Sequence, residues 1–188
     1  MILKDIFIEF GDKNISNQDF ESFLSKQDIS LKSEKSGVFS RKVCSENYNV
    51  TDISKKIIKD NSLSNRIKNQ DLIIVVSEFV EKIIPPPSSF ILSEVKDVDC
   101  QIIDLNRGCS GFVEALIIAN SFFGSNLAKK ILVICADNYS KYFDIQDTSV
   151  SAIFGDSGSF IFIEKSTKNI LFSKTLSSFE GKKHISII

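Results

Sequence analysis

The segment from Cys109 to Phe123 places the strongest constraint on what this chain can fold into. On a helix turning about 100° per residue, Ile117, Val113, Cys109, Leu116, Phe123, Phe112, Ala119, Ala115, Phe122 and Ile118 fill an arc of roughly 260°. Only Asn120 and Gly111 interrupt it, and Ser110, Glu114 and Ser121 remain as a narrow polar stripe. A helix lying on the outside of one sheet needs an apolar stripe of little more than about 100°. This helix therefore requires cover from two sides, as a central layer has. Four of its large side chains left in water would forfeit about 6–12 kcal/mol, against the roughly 5–15 kcal/mol that holds a typical domain together. The cover comes either from loops and the first helix of the same chain or from a partner surface.

The rest of the sequence supplies sheets for such a helix. Ile2 to Phe10 is rich in β-formers and stops at Gly11-Asp12. Asp71 to Ser77 is a continuous apolar run, which a strand needs when both sheet faces are covered. Cys100–Leu105, Ile131–Ala136 and Phe160–Glu164 repeat that character. Between them lie helical patterns at Asn17 to Lys26, at Thr51 to Lys59 with Thr51 or Asn49 as cap, and at Ser88 to Glu94. Pro85-Pro86-Pro87 is a stiff turn between elements. Strand alternating with helix predicts an α/β fold with a mostly parallel, covered sheet, and residues 1–188 form a single domain.

Composition narrows the function classes. Lys+Arg 23 against Asp+Glu 24 provides no basic face for nucleic acid. Asp5 and Glu9 break the N-terminal apolar run, so it reads neither as a signal peptide nor as a membrane span, and a cytoplasmic protein is expected. The four cysteines form no C-x-x-C pair and there is one histidine, His184, so a metal site is not expected.

Cys109 is the residue with chemistry in prospect. It follows a strand through Asn106-Arg107-Gly108 and stands at the start of the apolar helix, where unpaired N–H groups and the positive end of the helix dipole favour a thiolate. Gly108 and Gly111 allow a sharp turn or close backbone approach. Its place on the apolar arc predicts a thiol opening into a dry pocket, suited to attack on a thioester with backbone N–H groups holding the oxyanion. The alternative is a small packing residue. Arg107 is either a lid on that pocket or a solvated turn residue.

Cys109-Ser110-Gly111-Phe112, followed about 45 residues later by Phe154-Gly155-Asp156-Ser157-Gly158-Ser159, resembles the N-terminal half of a β-ketoacyl-acyl carrier protein synthase III, of the thiolase-like superfamily. Lys35-Ser36-Gly37-Val38, the DLIIV strand and the proline-containing loop fall in the order that family has. The resemblance implies one half of a layered α-β-α-β-α architecture in which the nucleophile helix meets its counterpart from a second half. It implies acyl transfer to Cys109, then decarboxylative Claisen condensation with malonyl-acyl carrier protein, in fatty-acid or related acyl-chain synthesis. Cofactors are not expected; acyl-CoA or acyl-acyl carrier protein serves as substrate. The implied partners are acyl carrier protein and either a second copy, pairing through Cys100–Leu105, or a chain supplying the C-terminal half.

The resemblance also assigns a substrate pocket of Ile84, Gly108, Ser110, Phe112, Phe154, Gly155 and Asp156. Ile84 stands where the family often has a Phe that floors the partner's acyl pocket, which implies a deeper one. Asp156, with Ser157 and Gly158, is expected as a structural turn supporting that pocket. The family's catalytic His and Asn belong to the second half, which is expected to be absent here; His184 comes too soon to match and is expected as an ordinary exposed residue. Leu31 and Thr148 take the places of the adenine-stacking aromatic and arginine, which favours acyl carrier protein or another acyl-CoA pose. The competing expectation is a non-catalytic partner or scaffold subunit, or a truncated remnant, of a ketosynthase.

Overall fold

A computed structural model describes residues 1–22, 24–78 and 84–167 of the chain. The strands are β1 (Ile2–Phe10), β2 (Lys13–Ser16), β3 (Ser40–Val43), β4 (Leu72–Val76), β5 (Gln101–Leu105), β6 (Lys130–Asp137) and β7 (Ser157–Glu164). The α-helices are α1 (Lys26–Ser36), α2 (Val50–Asp60), α3 (Ser64–Lys68), α4 (Pro87–Ile91) and α5 (Gly111–Gly124).

The main sheet has the order β1-β7-β6-β4-β5. β4 pairs in parallel with β5 and β6, and β7 runs antiparallel to both β6 and β1. Every strand but β7 thus points the same way, the mostly parallel α/β sheet that the apolar runs predict. All residues of β4 are buried, because this strand has a neighbour on each edge and helices on each face. Ile73, Val75, Leu132, Ile134, Phe160 and Phe162 face α2, α3 and α4, while Leu72, Ile74, Val76, Ile131, Val133, Ile161 and Ile163 face α5.

α2 begins where the sequence places a helix, with Asn49 rather than Thr51 as its cap: Asn49 Oδ1 accepts from the N–H groups of Thr51 and Asp52, and the Asp52 side chain accepts from Asn49 N. The helix expected over Asn17 to Lys26 does not form. Asn17–Phe20 is a single 3-10 turn that buries Phe20 and sends Asn17 Nδ2 to Ser33 Oγ and the Val38 carbonyl. The true helix starts later, because Ser25 accepts from Asp28 N and caps α1. The short pair β2–β3 and helix α3 carry too few residues for a periodic signal. Pro87 is not part of a turn only; it opens α4, a position where a missing N–H costs nothing.

Candidate active site

The chain leaves β5 at Leu105 and reaches Cys109 after three residues. Gly108–Ser110 make one turn of 3-10 helix, closed by Gly111 N–H donating to the Gly108 carbonyl, and α5 starts at Gly111. Gly108 has φ 55, a left-handed conformation that favours glycine. A Cβ on Gly111 would stand 2.5 Å from Val76 Cγ1, so only glycine lets the start of α5 lie against the end of β4. Cys109 itself is exposed.

Arg107 is a turn residue tied back to the helix rather than a lid. Its Nε donates to both Glu114 carboxylate oxygens at 3.0 and 2.9 Å, and Ser110 Oγ donates to the Arg107 carbonyl at 2.8 Å. The guanidinium holds the Glu114 carboxyl below its ordinary range. The first turn of α5 is thereby braced on both sides of the thiol.

The C-terminal edge of the parallel strands, where α/β sheets place their sites, gathers further polar groups. Asp137, at the end of β6, accepts from Ser77 Oγ at 3.2 Å and from Glu78 N at 2.7 Å. Glu78 is half-buried, and burial pushes its carboxyl above the ordinary range. Its Oε1 lies 2.9 Å from where a Cβ on Gly108 would stand. No motif marks Glu78 in the sequence, where it is one carboxylate following an apolar run.

Asp156 sits at the same edge, at the entry to β7, and is buried. Its Oδ2 accepts from Cys44 N at 2.6 Å and from Ser140 Oγ, its Oδ1 from Ser140 N at 2.9 Å, and its own N–H donates to the Lys42 carbonyl at 2.8 Å. The carboxylate is consumed in joining β3 and the segment at residue 140 to β7, as a structural turn requires. Phe154 stacks on Tyr139 with ring centroids 5.5 Å apart. Gly155 and Asp156 line a cleft with Phe10, Asn14 and Lys42.

Of the expected pocket, Gly108 and Ser110 flank Cys109 in the turn before α5, and Phe112 stands in the first turn of that helix. Phe154, Gly155 and Asp156 share their sheet edge without a contact to the thiol among those described. Ile84 is exposed and precedes a cis peptide to Pro85. Thr148 lies in the turn region after β6, its N–H donating to the Gln146 carbonyl at 2.9 Å. Leu31 falls in α1. His184 lies outside the described residues.

Comparison with known proteins decides the relationship. The family model described as 3-oxoacyl-[acyl-carrier-protein (ACP)] synthase III matches residues 103–178. A β-ketoacyl-[acyl-carrier-protein] synthase III of Aquifex aeolicus is 30% identical over 158 residues, covering 82% of this chain and 50% of that protein. The synthase III 2 of Staphylococcus epidermidis is 26% identical over 174 residues, covering 92% and 53%.

This chain is related to the β-ketoacyl-[acyl-carrier-protein] synthases III.

The chain spans about half the length of the curated synthase III relatives it matches. The fold agrees with the sequence. The crystal structure of the A. aeolicus synthase III superposes with a TM-score of 0.73 at 26% identity, over 88% of this chain and 54% of that one. A 3-oxoacyl-(acyl-carrier protein) synthase from Burkholderia xenovorans superposes with a TM-score of 0.78 at 23% identity, over 89% and 49%, and supports the fold alone. The architecture is the thiolase-like one, over about half the length of the structures it matches. Among the described residues no helix is long and apolar enough to cross a membrane.

Proposed function

We propose that Cys109 is the acyl-accepting nucleophile of a synthase III-like acyltransferase. The observation that carries this reading is the placement of an accessible thiol in a Gly108–Ser110 turn, at the N-terminus of an apolar helix and at the C-terminal edge of parallel strands. Acyl-CoA or acyl-acyl carrier protein would donate the acyl group, with acyl carrier protein as the protein partner. Attack of Sγ on the thioester carbonyl would be assisted by N–H groups at the helix start. Decarboxylative condensation with malonyl-acyl carrier protein would follow where a second half contributes the His and Asn of the family.

The open apolar face supports such a second half. α5 lies on β4 and β6 through Ala115, Ala119 and Phe123. On the same face of the sheet, Ile6, Ile8 and Phe10 of β1 are about half exposed, as are Val113 and Phe112 on α5. A second helix beside α5 would cover both sets, whether it comes from the same polypeptide or from another chain. We further propose that two copies pair through β5, one of the two edge strands of the sheet among the described residues, with Ile84 flooring a partner's acyl pocket.

The uncovered face also fits a second reading, a non-catalytic partner that docks on a complete ketosynthase. Intact mass after incubation with acyl-CoA and with acyl-acyl carrier protein separates the two. An adduct of one acyl group that disappears in Cys109→Ser is the expected outcome. Folded protein that takes up no acyl group from either donor leaves the partner reading.

A further inference from the structure

We infer that Glu78 is the proton acceptor for the Cys109 thiol. The assignment deepens the acyl-transfer reading and rests on it for its substrate. Glu78 is the second residue beyond β4, and β4 is the strand beside β5, which leads into the nucleophile turn. The parallel register therefore brings the two strand ends together at one edge. There the Glu78 carboxylate occupies the side of Gly108 where any other residue would carry its Cβ, with Oε1 2.9 Å from that position. Glycine at 108 serves two needs at once: a positive φ of 55 and room for a carboxylate one peptide from the thiol.

The charged groups around it are already committed. From β6, Asp137 takes the Ser77 hydroxyl and the Glu78 N–H, which anchors the Glu78 backbone. From α5, Glu114 is engaged by Arg107. Burial raises the Glu78 carboxyl, in the direction that makes a carboxylate a better base for a thiol. A permanent negative charge beside the Gly108 turn would oppose a thiolate, whereas a carboxylate that takes up the thiol proton leaves one charge where there was one before.

The acylation step then balances. The Sγ–H bond breaks and the proton goes to the Glu78 carboxylate as Sγ forms its bond to the thioester carbonyl carbon. The tetrahedral adduct collapses, the bond from that carbon to the donor's sulfur breaks, and the departing thiolate takes the proton back from the Glu78 carboxylic acid. No oxidant or metal is needed.

The test uses the full chain, Glu78→Gln and the conservative Glu78→Asp, each checked for native circular dichroism. Iodoacetamide alkylation of Cys109 is followed by peptide mass mapping between pH 5 and 9. With Glu78 as acceptor, wild type keeps a shoulder of alkylation below the thiol's main inflection, reflecting the thiolate paired with a protonated carboxyl. Glu78→Gln loses that shoulder and falls about tenfold per pH unit, and Glu78→Asp keeps part of it. Acylation by hexanoyl-CoA at pH 7 is expected to slow at least tenfold in Glu78→Gln. Profiles of the same shape in wild type and Glu78→Gln overturn the assignment, whatever the acylation rates. A shoulder that depends on Glu78 in protein that accepts no acyl group supports the proton acceptor, and it is then the acyl-transfer reading that fails.

Discussion

Four cysteines in one chain make residue environment measurable. Cys109 is exposed, whereas burial, reinforced by the Asp156 charge, pushes the Cys44 thiol up to about 12, and burial pushes Cys135 to about 11. Since the thiolate is the reacting form, a maleimide at pH 7.5 is expected to label Cys109 first and Cys44 and Cys135 only on unfolding, as read by peptide mapping. Labelling of Cys44 at the rate of Cys109 in folded protein would contradict that environment. Asp156 has a different role. Its carboxylate satisfies the N–H groups of Cys44 and Ser140 from a fully enclosed position, and removing a partner leaves buried donors unpaired at roughly 1–3 kcal/mol each. Asp156→Ala should therefore lower unfolding free energy in urea by on the order of 3 kcal/mol while leaving the Cys109 turn to react. Both residues were legible as motifs, Cys109 before Ser-Gly-Phe and Asp156 in FGDSGS. Glu78 was not, because nothing in its neighbours along the chain distinguishes it from a solvated carboxylate after a strand.

At the scale of elements, the long apolar runs and the capped helix were legible because each carries its own periodicity or side-chain signal. α5 begins two residues after Cys109 and one turn of 3-10 helix precedes it, a detail decided by Arg107, Ser110 and Glu114 bonding to one another. The first helical pattern was misplaced because Asn17 and Phe20 are held by α1 and the β2–β3 pair, contacts that local propensity does not contain. Another inter-element tie makes a pH prediction. Asp71 accepts from the N–H groups of Lys129 and Lys130 at 2.7 and 2.8 Å, fastening the start of β4 to the start of β6. Those backbone bonds, outweighing its burial, hold its carboxyl below the ordinary 3.8. A folded value below the unfolded one contributes stability above about pH 4 that is lost as the pH falls through the folded value. Asp71→Asn is thus expected to lower Tm at pH 7, and the gap from wild type should shrink towards pH 3.

For the whole molecule, two surfaces bear on the associations proposed above. The first is the apolar face of α5 and β1, which burying would stabilise by roughly 1 kcal/mol or more for each half-exposed large side chain. The second is β5, an edge strand of the sheet among the described residues, and edge strands are templates for pairing. Cys100→Arg, next to that edge, is expected to shift the oligomer to a smaller species in analytical ultracentrifugation; an unchanged sedimentation coefficient would place the pairing elsewhere. The sequence by itself determined that the sheet is mostly parallel, that the helix after Cys109 is apolar over most of its circumference, and that Cys109 stands at its start. Those properties follow from apolar periodicity and from a motif contiguous in the chain. The tertiary structure alone decided that one side of that helix is met by β4 and β6 while Phe112 and Val113 on it are exposed, that Arg107 braces the turn, and that Glu78 stands over Gly108. Each of these joins residues on different elements, and register between strands, set by the packing of the entire sheet, is what brings them into reach.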